Sequence, residues 1–323
     1  MRWLLLSSIV LMVIGAPAAS GQTSTGAVPS GATFRAGVEL VTVSAVVRDQ
    51  KGRMVGNLKE SDFELLDTGE PRAITSFRAD RAAVSVALLF DVSGSMQVAA
   101  KVERARVAAR HILAWLEEGR DELAIYSFDT ALHQRQPFAA YRKDASLERS
   151  LFGLSPFGMT SLHDAIAATA RDLSERPNGH RALIVLTDGL DNASRLTPAE
   201  VSGIASAIDV PVYIMAVVSP LDHLGAATAV TSGRPVPVGD LADLARWTGG
   251  ECFVASVPEQ TSEAARLIVD ELRHQYLLVF EPANRPGWHP LEVRTRGRQL
   301  MVKARSGYMA GQARAEILQT AGK

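Results

Sequence analysis

The chain has 323 residues, carries 34 Lys and Arg against 35 Asp and Glu, and is 47% hydrophobic. That hydrophobic fraction supports a packed core and excludes a disordered chain. The even charge balance, with no basic face or tail, excludes the usual footing for nucleic acid. At roughly 150 residues per domain, the length suits about two domains.

The chain opens with MRWLLLSSIVLMVIGAPAAS. Arg2 gives a positive start, Trp3 to Ile14 an apolar run, and Ala16-Pro17-Ala18 a small-residue exit. This layout predicts a secretory signal peptide over residues 1–21. The run falls short of the ~20 apolar residues a bilayer span needs. An uncleaved anchor is the alternative. No cysteine near the exit offers a lipid attachment point, and no second apolar span follows. The mature chain is therefore expected to be exported, to the periplasm or the exterior, with no membrane span. Residues 22–34 read as a flexible Gly/Ser/Thr/Ala leader.

Residues 35–80 read as an N-terminal β segment. Val41, Val43, Ala45 and Val47 alternate with Thr42, Ser44 and Val46, and Asp49-Gln50-Lys51-Gly52 and Asp67-Thr68-Gly69-Glu70 are turn signals. Alone, this segment has too little apolar surface for a core.

The pattern then changes. AVSVALLF, ELAIYSF, RALIVLT and VPVYIMAVV are apolar strands. Between them lie amphipathic helices: VERARVAARHILAWLEE, 161–175 and 198–207. GDLADLARWTGG (helix), ECFVAS (strand) and PEQTSEAARLIVDELRHQ (helix) complete a block over residues 81–275. Wholly apolar strands alternating with helices predict an α/β fold, a doubly wound, mainly parallel sheet. From Tyr276, YLLVFEP, LEVRTRG and QLMVKARSGYM return to strand pattern, a C-terminal β segment over 276–310 with a tail at 311–323. The two β segments are expected to pair as one small flanking domain; two separate flaps are the rival. The single cysteine, Cys252, excludes an internal disulfide and reads as a small apolar residue.

The chemistry concentrates at strand ends. Asp91 ends the first α/β strand, with Ser93 and Ser95 in the loop behind it. Thr160 precedes a helix, and Asp188 follows the third strand. A parallel sheet gathers such ends on one rim. Two carboxylates and three hydroxyls make an all-oxygen set, suited to Mg²⁺, Mn²⁺ or Ca²⁺ and unsuited to Zn²⁺.

DVSGSM, the later Thr160 and TDG resemble the metal-ion-dependent adhesion site of the von Willebrand factor A (VWA) domain family, whose pattern is D-x-S-x-S, then a threonine, then an aspartate. The flanking stretches resemble a bacterial secreted variety of that family. The resemblance implies a Rossmann-like fold over about 80–275. It also implies a divalent cation, Mg²⁺ with Mn²⁺ or Ca²⁺ as alternatives, held by Asp91, Ser93, Ser95, Thr160 and Asp188. A Glu or Asp of an unidentified partner protein would complete the coordination, making the chain an adhesion-type binding module rather than an enzyme.

Bland readings stand beside these. Asp164 suits a helix N-terminus, Asp191 and Asn192 a turn or cap, and Asp129 a turn. His163 reads as surface or packing, Met96 and Phe128 as core. The competing functional readings are a metal-independent scaffold and a phosphatase-like hydrolase using Asp91. The hydrolase lacks a second acid two residues on, where Ser93 stands. No G-x-S-x-G elbow or Walker A loop appears.

Overall fold

Eight consecutive residues of β5 (Val84–Asp91) are buried. Only a strand covered on both faces has that profile, and β5 sits at the middle of the central sheet. The computed structural model describes residues 40–311 apart from 80–81, 154, 208, 218–238, 256 and 298. The expected signal peptide and leader, and the tail beyond Gly311, lie outside the described residues.

In chain order, β1 (Val41–Arg48), β2 (Phe63–Asp67), β3 (Glu70–Arg72) and β4 (Ile74–Arg78) precede β5. Then follow α1 (Lys101–Leu113), β6 (Glu122–Phe128), β7 (Leu132–Ala140), α2 (Ala145–Phe152), α3 (Leu162–Ser174), β8 (His180–Thr187), α4 (Pro198–Ala207) and β9 (Val212–Val217). The block closes with α5 (Gly239–Trp247), β10 (Cys252–Ala255) and α6 (Pro258–Arg273). The last strands are β11 (Tyr276–Phe280), β12 (Gly287–Thr295), β13 (Met301–Ala304) and β14 (Gly307–Ala310).

The central sheet has the order β10-β9-β8-β5-β6-β7, parallel except for β7. One face packs Val86, Leu88 and Phe90 of β5 against α1, α2 and α6; the other packs Ala87 and Leu89 against α3, α4 and α5. Each large apolar side chain removed from water in these layers contributes roughly 1.5–3 kcal/mol. The expected α/β fold, doubly wound around a mainly parallel sheet, is the observed one.

The flanks interleave. One four-stranded sheet runs β13-β1-β11-β4 and another β14-β12-β2-β3, so both sheets mix strands from before and after the central block. Their inner faces share one apolar core, in which Phe63, Phe77 and Tyr276 stack with centroids 5.1–5.8 Å apart. Neither flank holds this core alone, which is why each sheet needs both.

Candidate metal centre

The strand order reverses between β5 and β8. β6 lies on one side of β5, β8 on the other, and ligands of open α/β sheets sit at such a crevice. Phe90 pairs with Leu186, so the two strands end together. Asp91 ends β5 fully buried, and Thr187 ends β8 beside it. The Thr187 hydroxyl donates to Asp91 Oδ2 at 2.6 Å, and the Ser93 N–H donates to Oδ1 at 2.9 Å. Asp188 follows immediately, where Gly189 turns the chain with φ +87°.

Ser93 and Ser95 start a 3-10 turn over Gly94–Ala100, their hydroxyl oxygens 3.1 Å apart. The turn is fastened to the loop before α3: Gly94 N–H donates to Gly158 O at 3.0 Å, and Phe157 N–H to Val92 O at 2.8 Å. Thr160, buried in that loop, is tied to the loop after β8. Its N–H donates to Asn192 Oδ1 at 2.8 Å, and its carbonyl accepts from Asn192 N–H and Ala193 N–H. Hydrogen bonds thus join the three loops that bear Asp91, Ser93, Ser95, Thr160 and Asp188 on one rim of the sheet.

The neighbouring acids have other duties. Both oxygens of Asp164 accept from Arg195 N–H, and one also accepts from Leu196 N–H. Asp191 accepts from the N–H of His163, in the first turn of α3, and from Ser194. Burial pushes the Asp191 carboxyl up, yet these donors hold it below its ordinary value. Asp129 closes a turn by accepting from Ala131 N–H.

Two participants escaped the sequence reading. One is Thr187, hidden in an apolar strand. The other is Lys101, whose Nζ lies 3.0 Å from Asp188 Oδ2. Its signal was available: a cation at the first position of a helix opposes the helix dipole and needs a reason to be there.

The electrostatics suit a cation. Burial raises the Asp91 carboxyl to about 6, against the donors Ser93 and Thr187, and the Asp188 charge adds to the rise. A buried carboxylate pair of this kind is strained when ionised and gains from a positive ion. Among the described residues, no group of three or more His, Cys, Asp and Glu is placed to hold a metal. A site here therefore draws on hydroxyls, and hard oxygen donors fit Mg²⁺, Mn²⁺ or Ca²⁺.

Residues 86–190, which span β5 to just past Asp188, match the family model of the von Willebrand factor type A domain. No curated protein matches the chain. Among solved structures, the chain is similar to a von Willebrand factor type A protein from Catenulispora acidiphila, at 14% identity and TM-score 0.48 over 81% of this chain and 77% of that one. It is also similar to the PilB minor pilin from Streptococcus sanguinis, at 13% identity and TM-score 0.44 over 61% of this chain and 63% of the pilin. A third is proximal thread matrix protein 1 from the mussel byssus with a zinc-occupied MIDAS motif, at 14% identity and TM-score 0.47 over 65% of this chain and 50% of that one. The chain thus spans less than two thirds of the pilin and half of the byssus protein. The chain carries a domain of the von Willebrand factor type A family.

Proposed function

We propose that Asp91, Ser93, Ser95, Thr160 and Asp188 bind a divalent cation, Mg²⁺ first with Mn²⁺ or Ca²⁺ as alternatives, and that the loaded site captures an acidic side chain of a partner protein. The observation that carries this reading is the convergence of Asp91 and Asp188 at the switch point, beside two serine hydroxyls 3.1 Å apart. With hydroxyls as the remaining donors and Lys101 paired to Asp188, the cation's charge is left under-neutralised, and a carboxylate from outside gains from it. The layout of residues 1–21 supports export to the periplasm or exterior, and among the described residues no helix is long and apolar enough to cross a membrane.

Hydrolysis at Asp91 finds no support in the geometry. The carboxylate is fully buried, both its oxygens are engaged, and the Ser93 hydroxyl faces Ser95 rather than a histidine base.

The test is thermal unfolding with Mg²⁺ or Mn²⁺ added after chelation, beside calorimetry. A ligand of the native state alone raises the midpoint by mass action. Wild type should gain and Asp188→Ala should not. An unchanged midpoint with no binding heat in wild type removes the assignment and leaves a metal-independent scaffold.

A further inference from the structure

Large apolar side chains rarely stand free in a cluster on a surface that meets only water. Here four of them crowd the loops of the candidate site. Val98 is 63% exposed, Phe157 81%, Met159 51% and Leu190 48%. Val98 lies three residues after Ser95, Met159 directly before Thr160, and Leu190 two after Asp188. The bonds from Gly94 to Gly158 and from Thr160 to Asn192 hold these loops side by side, so the four exposed side chains stand on the same joined loops that bear the candidate site. They make up four of the ten large apolar residues exposed among the described residues.

The charge of the site these loops bear identifies what fits it. Asp91 and Asp188 against Lys101 leave the site one negative charge in excess. A divalent cation reverses the sign, so the loaded centre attracts an anion while its rim offers apolar contact. A free carboxylate or a polar acidic loop satisfies only the centre.

On the reading that the site holds a cation, we propose that Val98, Phe157, Met159 and Leu190 form an apolar collar whose partner is a peptide segment with a Glu or Asp set between large apolar side chains. The acid meets the metal and its neighbours cover the collar. Affinity is then divided, with the centre setting the requirement for an acid and the collar setting which acidic segments bind.

The test uses three fluorescein-labelled nine-residue peptides: a central Glu flanked by Phe and Leu, the same Glu flanked by Ser, and the Phe/Leu peptide with Gln for Glu. Mg²⁺ binding is measured first by calorimetry, and peptide binding to the full chain next by fluorescence polarisation in Mg²⁺. The Phe/Leu peptide should bind at least tenfold tighter than the Ser peptide, and chelator or the Gln change should abolish binding. Phe157→Ser/Leu190→Ser should erase the preference without altering the Mg²⁺ titration. Equal affinities, no peptide binding by Mg²⁺-loaded protein, or an unaffected double variant overturns the collar while the metal site stands. If Mg²⁺ itself does not bind, the underlying reading fails first, and the collar with it. A wild type that dimerises and comes apart in the double variant overturns the proposal in favour of a second copy.

Discussion

Lys101 Nζ and Asp188 Oδ2 form an ion pair 3.0 Å long, with both side chains nearly out of solvent. The ammonium stands at the N-terminus of α1, where the helix dipole alone disfavours it by about 0.3–1 kcal/mol. Asp188 offsets that cost and the ammonium in turn balances a buried carboxylate. The same positive charge opposes a cation at Asp188. Lys101→Met should therefore move two measurements in opposite directions. Metal-free stability should fall by about 2 kcal/mol, as for a broken, nearly buried pair. Mg²⁺ affinity should rise about tenfold, a modest share of the Coulomb energy at this range. Denaturant unfolding in chelator and calorimetry with Mg²⁺ read the two effects; weaker metal binding in the variant would show that Lys101 supports the site instead of competing for it.

Asp91 gives the metal-free protein a pH signature. Burial raises its carboxyl to about 6 in the folded state, against an ordinary value of 3.8. The native state then holds the proton more tightly than the unfolded chain. Metal-free stability should fall as pH rises from about 4 to 6, by up to about 3 kcal/mol from this group. Asp91→Asn should remove that slope and stabilise the metal-free protein at pH 7.5 by about 1 kcal/mol, less than the full amount because an amide oxygen cannot serve both Ser93 N–H and the Thr187 hydroxyl as two carboxylate oxygens do. Mg²⁺ should stabilise wild type more at pH 8 than at pH 5, since protons compete with it below about pH 6. Unfolding midpoints across this range decide it; a flat wild-type profile in chelator would contradict the burial argument.

The strands that carry the site were legible because their signal is local. β5 and β8 are apolar runs ending in short oxygen-bearing residues, and each pattern is complete within a single strand and the turn after it. β7 was not legible. LHQRQPFAA is mostly exposed, contains Pro137, and pairs on one side only with two register shifts, so burial imposes almost no period on it. The stretch QLMVKARSGYM read as one strand, yet the structure divides it into β13 and β14 in different sheets. The corner is held by buried Arg305, whose guanidinium reaches the carbonyls of Thr42 and Ser206. Lys101 escaped in part for a similar reason: its place at a helix start marks it as unusual, but the partner that explains it is 87 residues away.

The loop between Ser95 and α1 stores strain. Ala99 and Ala100 take φ of +53° and +55°, left-handed values that crowd a Cβ against the backbone. This pair of turns exposes Val98 and sets where α1 begins. Glycine avoids the clash, so Ala99→Gly or Ala100→Gly should each raise stability by about 0.5–1 kcal/mol despite the entropy glycine adds to the unfolded chain. Ala99→Val should lower it. Denaturant midpoints at constant m-value are the measurement, and a destabilised glycine variant would mean that the left-handed backbone costs nothing here.

The flanking sheets are fastened to the central domain through a buried charge. Glu271 of α6 is out of solvent and receives Arg48 of β1 at 2.7 Å together with Lys303 of β13. One strand comes from before the domain and one from after it, so a single carboxylate ties both flanks to the last helix. Lys303 also reaches Glu251, 2.9 Å away at the surface, and so keeps a second partner if Glu271 is lost. The other hydrogen bond of Arg48 goes to the Gly52 carbonyl, which carries no counter-charge. Glu271→Gln should therefore cost about 3 kcal/mol, chiefly by leaving the Arg48 guanidinium without a counter-charge. Adding Arg48→Met to that variant should recover part of the loss, because the unpaired cation is then gone as well. A double-mutant cycle on the unfolding free energies gives the coupling. Strictly additive losses would show that the flanks are held by their shared apolar core and not by this pair.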